Sequence, residues 1–239
     1  MQIDPADQLR AILNACDPAQ QAGLMKMLRT EFPTHSIERE WNTSAEVVLE
    51  ALARSDPLTR RMFKGILAEA ACKIEVIDRL DGWQDVTPEG GNFAYDFVVE
   101  REGFRATVQA KLQRKVKHEP MPFKARRGHV SGFYVVETQK TRAGTKGGNK
   151  TRPYSFGEFD ILAVSMEPTT RDWSQFRFTV GNWLLPRPDA PNLLAVLQPV
   201  SLEPNEDWTD SLATAIEWFR SGQRKTVSIE RAAAGLDGA

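Results

Sequence analysis

The stretch YDFVVEREGFRATVQAKLQR, residues 95–114, decides the fold of this chain. Its apolar run at residues 97–99 and the alternation of polar and apolar side chains over residues 105–112 are typical of two strands. Glu102-Gly103 between them is a turn signal, so the stretch predicts a β-hairpin. Three polar side chains lie across this hairpin: Asp96, Gln109 and Lys111.

These three side chains suit a divalent cation beside a phosphate. A carboxylate and an amide oxygen are hard ligands for Mg²⁺, and Lys111 projects from the same strand face as Gln109 because side chains alternate with a period of two. The spacing Asp-x12-Gln-x-Lys on a hairpin resembles the core of the PD-(D/E)xK nuclease superfamily, which includes many type II restriction endonucleases. The sequence departs from that pattern at Tyr95, where a proline is common, and at Gln109, where an acid is common.

The resemblance implies an α/β fold, with a restriction-endonuclease-like core in which a central mixed β-sheet is flanked by helices. It also implies a metal site and a catalytic lysine. Asp96 and Gln109 would bind Mg²⁺, and Lys111 would orient or deprotonate the attacking water or stabilise the developing charge on the phosphate. The alternative is that these residues have no catalytic role. In that case Asp96 is a turn residue, Gln109 is a solvent-facing strand residue and Lys111 is part of a basic surface.

A fourth candidate, Glu69, stands among small and apolar residues of the helix before the hairpin. An acid on an apolar face is costly unless it is paired or binds a metal. In the resembling family this helix often carries a Glu that reaches the metal, and Glu69 would supply the carboxylate that the neutral Gln109 lacks. The alternative is an ion pair with Lys73, four residues on.

Positive charge is concentrated in one stretch of the sequence, called the basic stretch below. Residues 111–152 hold twelve Lys or Arg and two acids, so they carry +10 while the rest of the chain carries −11. Such a band is the electrostatic footprint of a phosphate-binding surface, although a solvated loop would also fit. Arg, Lys and Gln have the donors for base edges and phosphates. The DNA-binding candidates are Gln113, Arg114, Arg126, Arg127, Gln139, Lys140, Arg142, Lys146, Lys150 and Arg152.

The chain is expected to comprise an N-terminal helical region (1–60), a nuclease core with a C-terminal helix (61–225) and a flexible tail (226–239). Asp17-Pro18 predicts a helix start, and a later helix is expected to turn five residues inward: Met62, Phe63, Ile66, Leu67 and Ala70. The N-terminal helices are expected to serve packing or dimerisation, with DNA contact as the alternative.

Beyond the hairpin, apolar runs predict buried strands at residues 133–136 and 159–164, the second in the centre of the sheet. Asp160 leads that second strand, in a capping or pairing role or as a supporting acid. Aromatic spacing over residues 173–184 predicts another strand pair, and residues 206–221 predict an amphipathic helix.

Composition excludes several classes. Two cysteines, Cys16 and Cys72, argue against a disulfide scaffold or a cysteine zinc site and fit a reducing cytoplasm. The N-terminus is not a signal peptide, and no apolar run approaches the ~18 residues of a membrane span. The three histidines are scattered, which disfavours histidine-metal catalysis.

The resulting hypothesis is an Mg²⁺-dependent type II restriction-like endonuclease. It would cut double-stranded DNA at a short sequence, as a homodimer. Two alternatives remain open: a DNA-binding accessory or regulatory protein with a decayed nuclease core, and a structure-specific nuclease that acts on junctions, repair substrates or transposon ends.

Overall fold

The computed structural model describes residues 4–32, 35–125, 128–140, 145–146, 149–150 and 153–228. The chain divides into two compact units, Met1–Arg61 and Met62–Ala239. The boundary falls within a helix. Everything that forms the candidate site belongs to the second unit.

The described part of the first unit is helical. Its helices are α1 (Pro5–Ala15), α2 (Pro18–Glu31), α3 (Ser36–Glu40) and α4 (Ala45–Arg54), and α5 (Pro57–Glu75) starts here and continues into the second unit. The predicted start of α2 is confirmed, because the Asp17 side chain accepts from the Gln20 amide at 2.8 Å and Pro18 takes the first helical position.

Helix α5 turns a different face inward from the one predicted. Ala68 and Cys72 are fully buried, whereas Met62 and Ile66 are each 54% exposed. Leu67 and Ala70 are exposed as well, and Phe63 is half-buried. Small residues four apart let a helix approach its neighbours closely, so the bulky residues on the other side of α5 remain in solvent.

The second unit contains the strands. They are β1 (Gln84–Asp85), β2 (Phe97–Arg101), β3 (Phe104–Leu112), β4 (Lys115–Val116), β5 (Glu119–Pro120), β6 (Pro122–Ala125), β7 (Gly128–Glu137), β8 (Thr145–Lys146), β9 (Asn149–Lys150), β10 (Ile161–Ser165), β11 (Phe176–Val180), β12 (Pro186–Arg187), β13 (Ala190–Leu194) and β14 (Leu197–Ser201). Helix α6 (Glu167–Thr170) lies between β10 and β11, and α7 (Leu212–Arg220) follows β14.

The central sheet has the order β1-β2-β3-β10-β11. Strands β3 and β10 are parallel, while the other neighbours are antiparallel. The prediction of an α/β fold with a mixed central sheet is therefore confirmed. All five residues of β10 are buried, which fits a strand with neighbours on both sides.

The predicted hairpin is strands β2 and β3. Arg101 pairs with Phe104, and the two residues between them, Glu102 and Gly103, have φ angles of 53° and 77°. Two positive φ values in a two-residue loop define a type I′ turn, whose twist matches that of the strands. This turn sets the register that places Gln109 and Lys111 on one face of β3.

Two predicted elements differ from the structure. Only β11 is a strand in the aromatic stretch, because Gly181–Trp183 forms a 3₁₀ turn instead of a partner strand. The C-terminal helix starts at Leu212 rather than at 206, since the Asn205 side chain accepts from the amides of Asp207 and Trp208, both at 2.9 Å, and holds that segment in a turn.

The first residues of the predicted flexible tail are packed. Val227 is 3% exposed, and its amide donates to the Trp183 carbonyl at 2.8 Å. Just before it, Lys225 pairs with Asp207 at 3.0 Å and lies 4.1 Å from the centre of the Trp183 ring. Positions 229–239 of that tail lie outside the described residues.

A smaller sheet, β14-β7-β6, contains the predicted strand at 133–136 within β7. Across the described ranges, no helix is long and apolar enough to span a membrane.

Candidate active site

One hairpin brings Asp96, Gln109 and Lys111 together. The amide of Asp96 donates to the Val108 carbonyl at 2.9 Å, which extends the ladder of β2 and β3 and places Asp96 opposite Gln109. The Asp96 carboxylate accepts from the Ala110 amide at 2.8 Å and also from the Gln109 side chain. Lys111 lies two residues after Gln109, and its positive charge interacts with the charge of Asp96.

Gln109 is a buried member of a hydrogen-bond network. Gln109 is 2% exposed, which excludes the alternative that it is a solvent-facing strand residue. Its Nε2 donates to Asp96 Oδ2 and to the Ala110 carbonyl, the latter at 3.0 Å. Its Oε1, the expected metal ligand, accepts from the hydroxyl of Tyr154 at 3.0 Å. In this arrangement the amide nitrogen, not the oxygen, faces Asp96.

Tyr154 is a site residue that sequence reasoning missed. It is 3% exposed, and its ring packs almost perpendicular to that of Phe159, with ring centroids 5.3 Å apart. Burial, with the nearby carboxylates of Asp96 and Glu158, raises the pKa of Tyr154, so the hydroxyl stays protonated and donates to Gln109. Tyr154 lies 45 positions after Gln109 in sequence, beyond the basic stretch of residues 111–152, and no local sequence pattern identifies it as a site residue.

Glu69 faces the site and is not paired with Lys73. Lys73 instead binds Asp78, and Asp85 at 3.4 Å. Burial and, to a smaller extent, the charge of Asp96 raise the pKa of Glu69 to about 7, against the opposing charge of the Lys111 ammonium. The sequence-based alternative of a Glu69–Lys73 ion pair is therefore wrong, and Glu69 is electrostatically coupled to the other site residues.

Lys111 is half-buried beside these carboxylates. Burial lowers its pKa, while the charges of Asp96, Glu69 and Glu137 oppose that shift. Its Nζ lies 5.6 Å from the centre of the Tyr154 ring. Burial also raises the pKa of Asp96, against the pull of Lys111 and of the Ala110 amide. The site thus places two carboxyl groups and one ammonium in a poorly solvated space.

The donor set fits a hard divalent cation. Asp96 and Glu69 offer carboxylate oxygens whose anionic forms are penalised by burial, and a bound cation would remove that penalty. Gln109 could add its amide oxygen by rotating its carboxamide. No cluster of three His, Cys, Asp or Glu occurs in the described ranges, so oxygens from two carboxylates and an amide are the ligands on offer.

The carboxylates line an open cleft of about 470 Å³. Its walls come from α5 and from the segment that connects β1 to β2. The residues involved are Ile66, Glu69, Ala70, Lys73, Thr87, Pro88, Gly90, Gly91, Asn92, Phe93, Tyr95, Asp96 and Phe97. Glu69 and Asp96 therefore face the same solvent-accessible space, which a substrate can enter.

One DNA-binding candidate is excluded by its burial. Gln113 is 1% exposed, and its Oε1 accepts from the Thr169 hydroxyl at 2.7 Å. Its backbone bridges to Val136 of β7, so the neighbouring sheet covers this end of β3. Gln113 is a structural residue, and its predicted contact with DNA is wrong.

Other basic candidates already have partners in the chain. Arg114 pairs with Glu137, and Lys140 pairs with Glu158 at 2.6 Å. Lys140 also lies 5.2 Å from the centre of the Tyr154 ring, which places a second ammonium group near the site. Gln139 is half-buried and bridges to Pro153 through its backbone.

The remaining candidates fall largely outside the description. Arg126, Arg127, Arg142 and Arg152 lie outside the described residues, and Lys146 and Lys150 are described only through their backbones in β8 and β9. Their predicted contacts with DNA stay predictions.

Asp160 has a structural partner. Its Oδ2 accepts from the amide and the hydroxyl of Thr107, both at 2.8 Å. These bonds tie the start of β10 to β3. The capping role proposed for Asp160 thus describes its contacts, although the partner is a threonine rather than a basic residue.

The raised pKa of Glu69 predicts a pH-dependent stability. The folded-state pKa of about 7 exceeds the ordinary 4.5, so folding holds a proton that the unfolded chain releases, and stability falls as pH rises from about 4.5 to about 7. Because Glu69 is partly solvated, we expect Glu69→Gln to stabilise the protein by about 1–2 kcal/mol at pH 8 and by almost nothing at pH 4.5.

Urea unfolding of both proteins in EDTA at the two pH values measures this difference. Glu89→Gln, at an exposed carboxyl of the segment after β1, is the control and should show no such pH-dependent gain. Equal stability of Glu69→Gln and the unmodified protein at pH 8 would contradict the assignment.

No family model matches the chain, and no curated protein matches it. Among solved structures, the chain is similar to a bacterial homing endonuclease, I-Ssp6803I, with 22% identity and a TM-score of 0.34 over 61% of this chain and 79% of that one. A likeness at this level establishes neither a shared fold nor a shared activity.

Proposed function

We propose that this protein is an Mg²⁺-dependent endonuclease that hydrolyses phosphodiester bonds in double-stranded DNA. The observation that carries the proposal is the convergence of Asp96 and Glu69 at one open cleft, where burial raises both carboxyl pKa values and the charge of Lys111 acts on both. Two poorly solvated carboxylates beside a lysine provide for a hard cation and for a phosphate next to it.

Each residue has a role in the proposed reaction. Asp96 and Glu69 hold the cation, with the Gln109 oxygen as a further ligand. The bound ion would neutralise charge on the phosphate and lower the pKa of a water. Lys111 orients that water or stabilises the charge that builds on the phosphate oxygens. The water oxygen forms the new bond to phosphorus and gives up a proton to solvent, the bond to the leaving sugar oxygen breaks, and that oxygen takes up a proton from solvent.

The basic stretch supplies the proposed DNA surface. Net charge of +10 over residues 111–152 begins at the catalytic lysine, and the electrostatic part of DNA affinity grows with the number of phosphates neutralised. Within the described part of this stretch, Lys140 lies 5.2 Å from the centre of the Tyr154 ring, which the Lys111 ammonium also faces. Recognition of a short palindrome by a homodimer, as in a restriction–modification system, belongs to the same proposal.

Genomic DNA of high complexity tests the nuclease, because it contains any short recognition site. Discrete fragments are expected with Mg²⁺ and intact DNA with EDTA, and Asp96→Asn should remove the activity because it weakens the cation site. Absence of Mg²⁺-dependent cutting on linear, supercoiled and branched DNA would overturn the proposal. Preference for branched DNA would identify a structure-specific nuclease instead of a restriction-like enzyme.

A DNA-binding protein with a decayed nuclease core is the second candidate. It is favoured by the Gln109 carboxamide, whose nitrogen donates to Asp96 and whose oxygen is held by Tyr154. This protein would bind DNA in a salt-sensitive manner, without metal-dependent cutting and without any effect of Mg²⁺ on its thermal stability.

A further inference from the structure

An exposed aromatic pair lines the same cleft as the carboxylates. Phe93 is 46% exposed, and its ring stacks on Tyr95 with centroids 5.1 Å apart and planes 10° from parallel. Tyr95 packs against the hydrophobic core and immediately precedes Asp96. One face of the Phe93 ring is therefore supported from inside the protein, while much of the rest of the ring remains in solvent.

The Phe93 ring is also held by the backbone beside it. Gly91 has φ of 102°, and a Cβ atom at this position would lie 2.6 Å from the ring, closer than any side chain can approach. The glycine therefore lets the ring rest on the main chain. The ring is thus held in a fixed orientation at the surface, where packing of the hydrophobic core does not require a large apolar side chain.

The distance from this ring to the site is limited by the chain. Phe93 is three residues from Asp96, so their Cα atoms are at most about 11 Å apart. At a rise of about 3.4 Å per nucleotide along a strand, this span corresponds to about three nucleotides. A nucleic acid whose phosphate lies beside Asp96 and Lys111 therefore has bases within reach of Phe93.

We propose that Phe93, supported by Tyr95 and Gly91, is a stacking platform for an unpaired or everted nucleobase of the substrate. The inference rests on the nuclease function proposed above and narrows its substrate class. A flat apolar ring has no hydrogen-bonding edge to read a sequence, and it stacks on any base whose face is free. In a fully paired duplex the base faces are covered, so the platform favours DNA with a bulge, a mismatch, a single strand or an extruded base.

Binding in EDTA, where no turnover occurs, tests the platform. The probes are a paired duplex, the same duplex with one bulged 2-aminopurine, and the corresponding single strand, all followed by fluorescence anisotropy. Phe93→Ala is expected to weaken binding of the bulged and single-stranded probes by about 5- to 150-fold, and of the paired duplex by less than about twofold. Phe93→Trp should retain binding and quench the 2-aminopurine.

Further variants separate stacking from general packing. Phe93→Leu keeps apolar bulk but loses the flat ring, so it should bind like Phe93→Ala. Gly91→Ala displaces the ring without altering it and should also weaken the bulged probe. Val116→Ala, at another exposed apolar residue within the basic stretch, should change nothing. Circular dichroism and melting temperature establish that each variant is folded.

The failures are distinguishable. If Phe93→Ala binds the bulged probe as the unmodified protein does, or weakens all three probes equally, the stacking site is overturned and the nuclease proposal stands. If the unmodified protein binds none of the probes at low salt, the nuclease proposal falls, and the stacking site with it.

Discussion

Lys111→Met is expected to lower Mg²⁺-dependent DNA cleavage by about 10²- to 10⁴-fold, the range typical of removing a group that transfers or orients a proton in the transition state. The effect should be large because the Lys111 ammonium interacts with the charges of Glu69 and Asp96 and lies 5.6 Å from the centre of the Tyr154 ring. Methionine keeps the length and the apolar stem of the side chain, so the loss isolates the charged group. Rates of plasmid cleavage at saturating DNA and Mg²⁺ measure it.

The matched control is Lys124→Met, which removes an equal charge from an exposed position on β6. That variant should bind DNA more weakly at higher salt and should cleave at nearly the normal rate once DNA is saturating, because it loses only a phosphate contact. Cleavage by Lys111→Met at the rate of the Lys124→Met control would show that the catalytic site lies elsewhere.

Local pattern was sufficient to predict the hairpin and three of its side chains. Strict alternation over β3 and a turn with two positive φ values determine which residues share a face, so the proximity of Asp96, Gln109 and Lys111 follows from sequence. The lone acid among small residues on α5 was also informative, since Glu69 is coupled to the same group of charges.

Features set by distant parts of the chain were not predictable in this way. Gln113 was predicted to contact DNA, yet β7 covers that end of the strand and buries it. Tyr154 contacts Gln109 from beyond the basic stretch, and no sequence periodicity links the two residues. Helix α5 shows the same limit, because its buried face is set by how closely it can pack, and spacing alone pointed to the larger residues.

The unusual residue of the site, Gln109, supports the second large prediction. In EDTA at pH 8, Gln109→Glu is expected to destabilise the protein by about 2–4 kcal/mol. The substitution removes the donors to Asp96 and to the Ala110 carbonyl and places a second carboxylate against Asp96 in a buried site. At pH 5 the loss should shrink, because the introduced carboxyl, whose pKa is raised there, takes up a proton and can donate to Asp96.

Mg²⁺ should reverse this loss, and the reversal tests whether Gln109 is a ligand. A cation that binds the folded state alone stabilises it by mass action, and the extra carboxylate increases its affinity. Gln198→Glu is the matched control, because Gln198 is fully buried with its carboxamide bonded to the backbones of Leu185 and Ala195. It should be destabilised, and Mg²⁺ should stabilise it no more than it stabilises the unmodified protein. If Mg²⁺ stabilises both variants equally in urea unfolding, Gln109 does not contact the metal, and its carboxamide serves only to neutralise Asp96.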